Sequence, residues 1–168
     1  MLPIKTMEYN LRIQPIKKRE AKQVCDLIIQ VFHEFIAPHY SNDGVLEFQK
    51  YINPDSLMQR QKKNHFILVA ETEKRIVGMI EIRNKSHISL LFVDQQFQRN
   101  GISRKLLQRS LEICLKRQPD LSKFSVNSSP NAVHVYEKLG FYQTGPEQIK
   151  NAIRFTPMEL ELSKAAHL

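Results

Sequence analysis

The 168-residue chain is short of cysteine and of long apolar runs, and each shortage removes a class of protein. Cys25 and Cys114 each fall among apolar residues at helical spacing, which predicts two buried reduced thiols rather than a disulfide. They carry no metal-ligand spacing, and no metal is expected. The longest apolar runs, Phe66 to Ala70 and Ile88 to Val93, fall far short of the roughly 20 residues of a membrane-crossing helix, so no membrane partner is expected. Residues Met1 to Asn10 include Pro3, Lys5 and Glu8 without a continuous apolar core, which does not read as a secretory leader and makes the cytoplasm the expected location. No repeat and no Gly/Ser-rich or Pro-rich linker divides the sequence, so one domain over 1–168, with its core over about 9–162, is the expectation. No Gly-x-Gly-x-x-Gly follows an early strand, which argues against a dinucleotide-dependent oxidoreductase.

What is present suits a folded enzyme-sized core. Hydrophobic residues are 42% of the chain and charged residues 25%, close to soluble globular averages. Lys and Arg number 25 against 17 Asp and Glu, a net charge of +8 that would favour nucleic acid, an anionic surface or a polyanionic small molecule. The densest basic patches, Lys17-Lys18-Arg19 and Lys62-Lys63, are short and not interleaved with aromatics, so nucleic acid is a lesser alternative and most of this charge reads as solvated surface.

The hydrophobic pattern alternates strands and helices. Tyr9 to Gln14 reads as a strand closed by Pro15, and Glu20 to Ile36 as an amphipathic helix stopped by Pro38. Ser41 to Lys63 suggests two short helices broken around Asn53-Pro54. Phe66 to Glu71, Ile76 to Arg83 and His87 to Val93 predict an antiparallel meander, turned at Thr72 to Arg75 and at Asn84-Lys85. Gly101 to Arg117 is a second amphipathic helix, followed by a strand at Lys123 to Val126 and a helix from Pro130 to Leu139. Phe141 to Thr144 and Arg154 to Leu162 close the sheet, and the last six residues read as a frayed tail. The strand-helix-strand run from His87 to Val126 requires a crossover with parallel strands, so the sheet is expected to be mixed.

The segment Leu91 to Ser103 takes a buried strand through a polar loop into a helix start. First-turn amides have no helical partner and sit at the positive end of the dipole, so the turn from Gln98 to Arg104 is suited to a phosphate or pyrophosphate. Gly101 allows close approach, and Arg99, Arg104 and Lys105 add positive charge where a structural cap would place an acid.

Here the chain resembles the GNAT superfamily of acyl-CoA-dependent N-acyltransferases, whose signature Gln/Arg-x-x-Gly-x-Gly/Ala is matched by Gln98, Arg99, Asn100, Gly101, Ile102 and, with a departure at the last position, Ser103. A second match runs from Asn127 to Phe141 through Tyr136-Glu137-Lys138-Leu139-Gly140-Phe141, in the family's order and separation. The tail Ile153 to Met158 is similar to a bacterial subgroup of unknown acceptor. The resemblance implies an α/β (α+β) fold: a mixed, mostly antiparallel sheet of about six to seven strands, about four flanking helices, and a splay at the acetyl-CoA site. It implies acetyl-CoA as cosubstrate and acetyl transfer to a primary amine of a small molecule or peptide by direct transfer in a ternary complex.

An amine of pKa near 10.4 is deprotonated in roughly one molecule in a few thousand at pH 7, so a base or a water chain must help. The resemblance aligns His87 with the catalytic glutamate of the histone-acetylating branch, which makes it the first candidate base, with Glu81 on the neighbouring strand second. Residues 87, 89, 91 and 93 are expected on one strand face. The resemblance assigns the Val93 amide, beside Phe92, to the acyl carbonyl and Tyr136 to protonation of the leaving thiolate. Asn127 and Asn131 are placed to pair with the pantetheine arm or to cap a helix, and Ser129 reads as the cap itself. A domain that binds acyl-CoA without turnover is the alternative reading. The acceptor is expected to lie between Ser41–Lys63 and Gly145–Ala152, and a homodimer is compatible with the sequence.

Overall fold

A computed structural model describes residues 10–73 and 75–162. The expectations for Tyr9, for a leader in residues 1–9 and for the tail after Leu162 lie outside the described residues, as does Lys74 of the first hairpin turn. The elements run β1 (Arg12–Pro15), α1 (Ala21–Phe35), α2 (Asn42–Tyr51), α3 (Pro54–Gln61), β2 (His65–Thr72), β3 (Arg75–Arg83), β4 (His87–Val93), α4 (Ile102–Arg117), β5 (Lys123–Ser128), α5 (Val133–Lys138), β6 (Tyr142–Gln143), β7 (Gln148–Lys150) and β8 (Ile153–Glu161). The strand order is β1-β2-β3-β4-β5-β8-β6, with β7 paired on β8. Only β4 and β5 pair in parallel; the other pairs are antiparallel. The mixed, mostly antiparallel sheet is therefore present, with eight strands and five α-helices among the described residues.

Local chemistry sets the element boundaries. In α1, Val24, Leu27, Ile28, Val31 and Phe32 recur at helical spacing and are buried, and beyond Ile36 the chain tightens into a single turn holding Pro38. The break between α2 and α3 follows from Pro54 at the first position of α3, where Asn53 caps by accepting from the Ser56 amide at 2.9 Å. Ser41 caps α2 in the same way, from the Gly44 amide at 3.2 Å.

Two apolar layers cover the sheet. On one side α4 and α5 bury Leu106, Leu107, Leu111, Cys114 and Tyr136 against Ile80, Ile82, Ile88, Val93, Phe124 and Val126. On the other, α1–α3 bury Phe32, Ile28 and Leu57 against Ile67, Met79, Leu90 and Phe92. Gly78 lets α4 lie close to the sheet, since a Cβ there would come within 3.1 Å of Ile102 Cγ2 and 3.3 Å of Leu106 Cδ1. The two cysteines are free and buried, one in each layer, as expected.

One feature of β4 differs from the expected alternation. Glu81 pairs with Leu90 but Ile82 with Ile88, so Ser89 is an extra residue, a β-bulge. Ile88 therefore faces α4 whereas Leu90, two residues on, faces α1–α3. His87 and Ser89 lie on the α1–α3 face, while Leu91 and Val93 lie on the α4 face; the four residues do not share one face.

Candidate active site

β4 and β5 are in register only at His87–Ser125 and Ile88–Val126, after which β5 continues with β8 and the parallel pair opens. Asp94 donates its amide to the Val77 carbonyl at 2.8 Å, so that pair is hydrogen-bonded. The alternation of an antiparallel ladder then turns the amides of Val93 and Leu91 away from β3, toward the edge that β5 has left. Leu91 was not singled out from the sequence, although the two-residue period from Val93 contains it. Gln98 Nε2 donates to the Val93 carbonyl at 3.0 Å and ties the following loop to the strand. Phe92 is turned the other way: its ring centroid lies 6.1 Å from that of Phe48 in the α1–α3 layer, and its backbone faces β3.

The loop enters α4 through two left-handed residues, Arg99 at φ 64° and Gly101 at φ 75°. Asn100 braces it by donating to the carbonyls of Phe97 (3.1 Å) and Gln98 (3.2 Å). The first helical hydrogen bond of α4 runs from the Lys105 amide to Gly101 O at 3.0 Å, so the amides of Ile102, Ser103 and Arg104 precede the helical ladder. No side chain caps them and no acid stands in the first turn. A Cβ at Gly101 would meet nothing within 4 Å, so the loop is open beside this residue. A diphosphate fits this donor set: free amides, the positive helix end, and no competing carboxylate. Ile102 contributes only backbone, since its side chain is buried. Arg104 does not point solely at this space; its Nη2 donates to the Lys138 carbonyl at 3.0 Å and ties α4 to the end of α5.

Tyr136 projects from α5 into the same layer as Val93, with its ring edge-on to Phe141 at 5.4 Å. Burial pushes the phenol pKa up, and among the described residues its hydroxyl has no hydrogen-bond partner. Asn131 Oδ1 is buried without a partner. The turn before α5 is a 3-10 turn, Pro130–Ala132, rather than α-helix, and Ser129 stands at its cap position without a side-chain bond. Neither Asn131 nor the exposed Asn127 caps it.

The α1–α3 face carries a polar cluster that was not apparent from the sequence. Arg60 Nε and Nη2 donate to the two oxygens of Glu81 at 2.7 and 3.1 Å, and its guanidinium lies 3.6 Å from the Tyr51 ring centroid. His65 Nδ1 approaches Glu81 Oε1 at 2.8 Å, and the Tyr51 hydroxyl meets the Ser89 hydroxyl at 2.9 Å. Burial, followed by the opposing contribution of the Ser89 bond, governs Tyr51, whose pKa is raised. Glu81 is fully buried beneath this group. His87 Nδ1 lies 2.7 Å from Ser125 Oγ, and burial, then the Arg83 charge, push its pKa down to about 4, so the ring is neutral at pH 7. Tyr51, Arg60 and Ser89 were hidden because they come from three separate elements, brought together by the bulge.

A family model described as an acetyltransferase (GNAT) domain matches residues 36–162. The chain belongs to the GNAT family. An uncharacterized N-acetyltransferase, YafP, of Escherichia coli (strain K12) is 23% identical over 141 residues, spanning 84% of this chain and 87% of that protein. A GCN5-related N-acetyltransferase from Rhodopseudomonas palustris superposes with a TM-score of 0.77 at 17% identity, covering 90% of this chain and 95% of that one. The PaiA N-acetyltransferase from Thermoplasma acidophilum, solved with coenzyme A, gives 0.77 at 15% identity, covering 91% and 99%. Membership supports acyl-CoA N-acetyltransfer in general for this GNAT domain. Among the described residues there is no group of three or more His, Cys, Asp or Glu that could hold a metal ion, and no helix long and apolar enough to cross a membrane.

Proposed function

We propose that the chain, acting as one domain, moves an acetyl group from acetyl-CoA directly onto a primary amine in a ternary complex. The observation that carries this reading is the opening between β4 and β5, reached from one face by the uncapped start of α4 and from the other by the polar cluster around His87. The amides of Ile102, Ser103 and Arg104, with Gln98, Arg99, Asn100 and Gly101 shaping the loop, receive the diphosphate of coenzyme A. Asn131, whose carbonyl oxygen is buried without a partner, and Asn127 pair with the amides of the pantetheine arm. The amides of Val93 and Leu91 donate to the acyl oxygen as negative charge builds on it.

The neutral His87, four residues along β4 from the Leu91 amide, accepts the acceptor's proton during attack through a chain of waters, while Ser125 orients the ring. A pKa near 4 makes it a weak base, so most of the proton removal is coupled to formation of the new C–N bond. Glu81 anchors Arg60 and His65 beneath this site. Tyr136, held protonated by burial, gives a proton to the departing thiolate. Neither Cys25 nor Cys114 serves as a covalent carrier: both are buried, and burial raises each thiol to about 11. The test is thiol release from acetyl-CoA with a panel of primary amines. Amine-dependent release with one acetylated product supports the reading; binding of acetyl-CoA with no amine-dependent release identifies a non-catalytic binder instead.

A further inference from the structure

Residues facing one another across strands share a face, and the register aligns His65, Arg83, His87, Ser125 and Glu159 in one row over β2, β3, β4, β5 and β8. This row lies on the α1–α3 face, at the closed end of the β4–β5 opening. Four of its members have partners: His65 on Glu81, His87 on Ser125, and Glu159 on Lys123 at 3.0 Å. Arg83 has none among the described residues, and its Nε is buried without a hydrogen bond.

The absence of an internal partner is not for want of nearby carboxylates. Glu81, two residues away on the same strand face, has both oxygens taken by Arg60 and one also by His65. Glu159 is held by Lys123 and, at 3.5 Å, by Tyr142. The cluster formed by Arg60, Arg83 and Glu81 thus carries one cation in excess, and that cation is Arg83. Its charge reaches the site, since it depresses His87 and favours the ionised form of Tyr51. A buried, unpaired guanidinium nitrogen costs free energy unless an anion completes its hydrogen bonds. A guanidinium presents a planar fork of donors that matches a carboxylate.

We propose that the acceptor amine carries an anionic group, in the first instance a carboxylate, and that Arg83 receives it. The inference rests on the acyltransfer reading and names the acceptor class of that same site. Arg83 is here a specificity-determining residue; it orients the acceptor and takes no proton. From this row to the Leu91 amide is four residues along a bulged strand, about 10 to 13 Å, a span bridged jointly by the arginine side chain and an acceptor with several bonds between amine and anion. A polycationic amine would bring a second positive charge toward Arg83 and is disfavoured.

The test compares ω-amino acids from glycine to 6-aminohexanoate with n-alkylamines of matching length, and O-phosphoethanolamine with ethanolamine, at saturating acetyl-CoA. The expected result is a preference of about 30-fold or more in kcat/KM for at least one anionic member over its match. Arg83→Met is expected to reduce that ratio to within about threefold through the acceptor KM, with the KM for acetyl-CoA and the melting temperature unchanged; Arg83→Lys restores part of it. A preference confined to the phosphate pair, lost in the variant, keeps the anion and changes its source. Equal or better turnover of the alkylamines, or a ratio unaffected by Arg83→Met, overturns the proposal and leaves the acyltransfer reading standing. Turnover of neither series by a protein that binds acetyl-CoA also overturns it. Failure to bind acetyl-CoA at all removes the acyltransfer reading and this proposal with it.

Discussion

The ring of Tyr136 is held in an apolar layer between α5 and Phe141, and its hydroxyl has no hydrogen-bond partner among the described residues. A group that stabilises nothing in the free protein can be removed without structural cost. Tyr136→Phe should leave the melting temperature unchanged, within the roughly ±0.5 kcal/mol of a neutral substitution, while lowering kcat about 10²-fold if the phenol protonates the thiolate. Calorimetry beside thiol-release kinetics checks both halves; full activity in the variant would remove Tyr136 from the mechanism. His87 makes a second separable prediction. Its folded pKa is depressed to about 4 from the ordinary histidine value of 6.5, so between those values the unfolded chain binds the extra proton and the folded chain does not. Stability therefore rises with pH across that window and is lost as pH falls through it. Urea titrations from pH 7 to pH 4 should show a shallower loss for His87→Gln than for the native chain. The kcat profile should lack a limb near pH 6.5, and a limb there that His87→Gln abolishes would contradict the depressed pKa.

At the scale of elements, two attachments set the site's shape. α3 is fastened to β3 by the forked contact of Arg60 on Glu81, and Arg60 also donates to the Tyr51 carbonyl at 2.8 Å at the end of α2. Arg60→Met strands a buried carboxylate, and a loss of about 3–5 kcal/mol is expected in chemical denaturation. The start of α4 depends on Gly101 at φ 75°, so Gly101→Ala should cost about 1 kcal/mol by backbone strain and weaken coenzyme A binding. Helices and the meander were legible in the sequence, because Leu106, Leu107, Leu111 and Cys114, or the run at Phe66–Glu71, carry periodicity that local packing preserves. β7 was not legible. Its hairpin turns through Asn151 and Ala152, both left-handed, and alanine gives no signal for that conformation. The bulge was hidden for a different reason: His87–Val93 reads as an ordinary strand, and the extra residue exists only relative to β3. The uncapped start of α4 was readable from loop-to-helix chemistry, whereas the polar cluster on the opposite face was not, since Tyr51, Arg60, Arg83 and Ser125 are joined only by the fold.

Across the whole molecule, the sheet divides two tasks between its faces. α4 and α5 present free amides and a protonated phenol on one side; α1–α3 present a hydrogen-bonded polar cluster on the other. β4 and β5 part beyond the Ile88–Val126 pair, the amides of Leu91 and Val93 lie along the gap, and His87 stands at its closed end on the α1–α3 face. Such an arrangement suits two substrates bound at once, with no covalent relay between them. Everything else depends on whether the start of α4 accepts a diphosphate. Isothermal titration of the full chain with coenzyme A and acetyl-CoA tests this most directly. Saturable one-to-one binding in about the micromolar range, weakened in Gly101→Ala, is the predicted result; no binding heat from either ligand at millimolar concentration would contradict it.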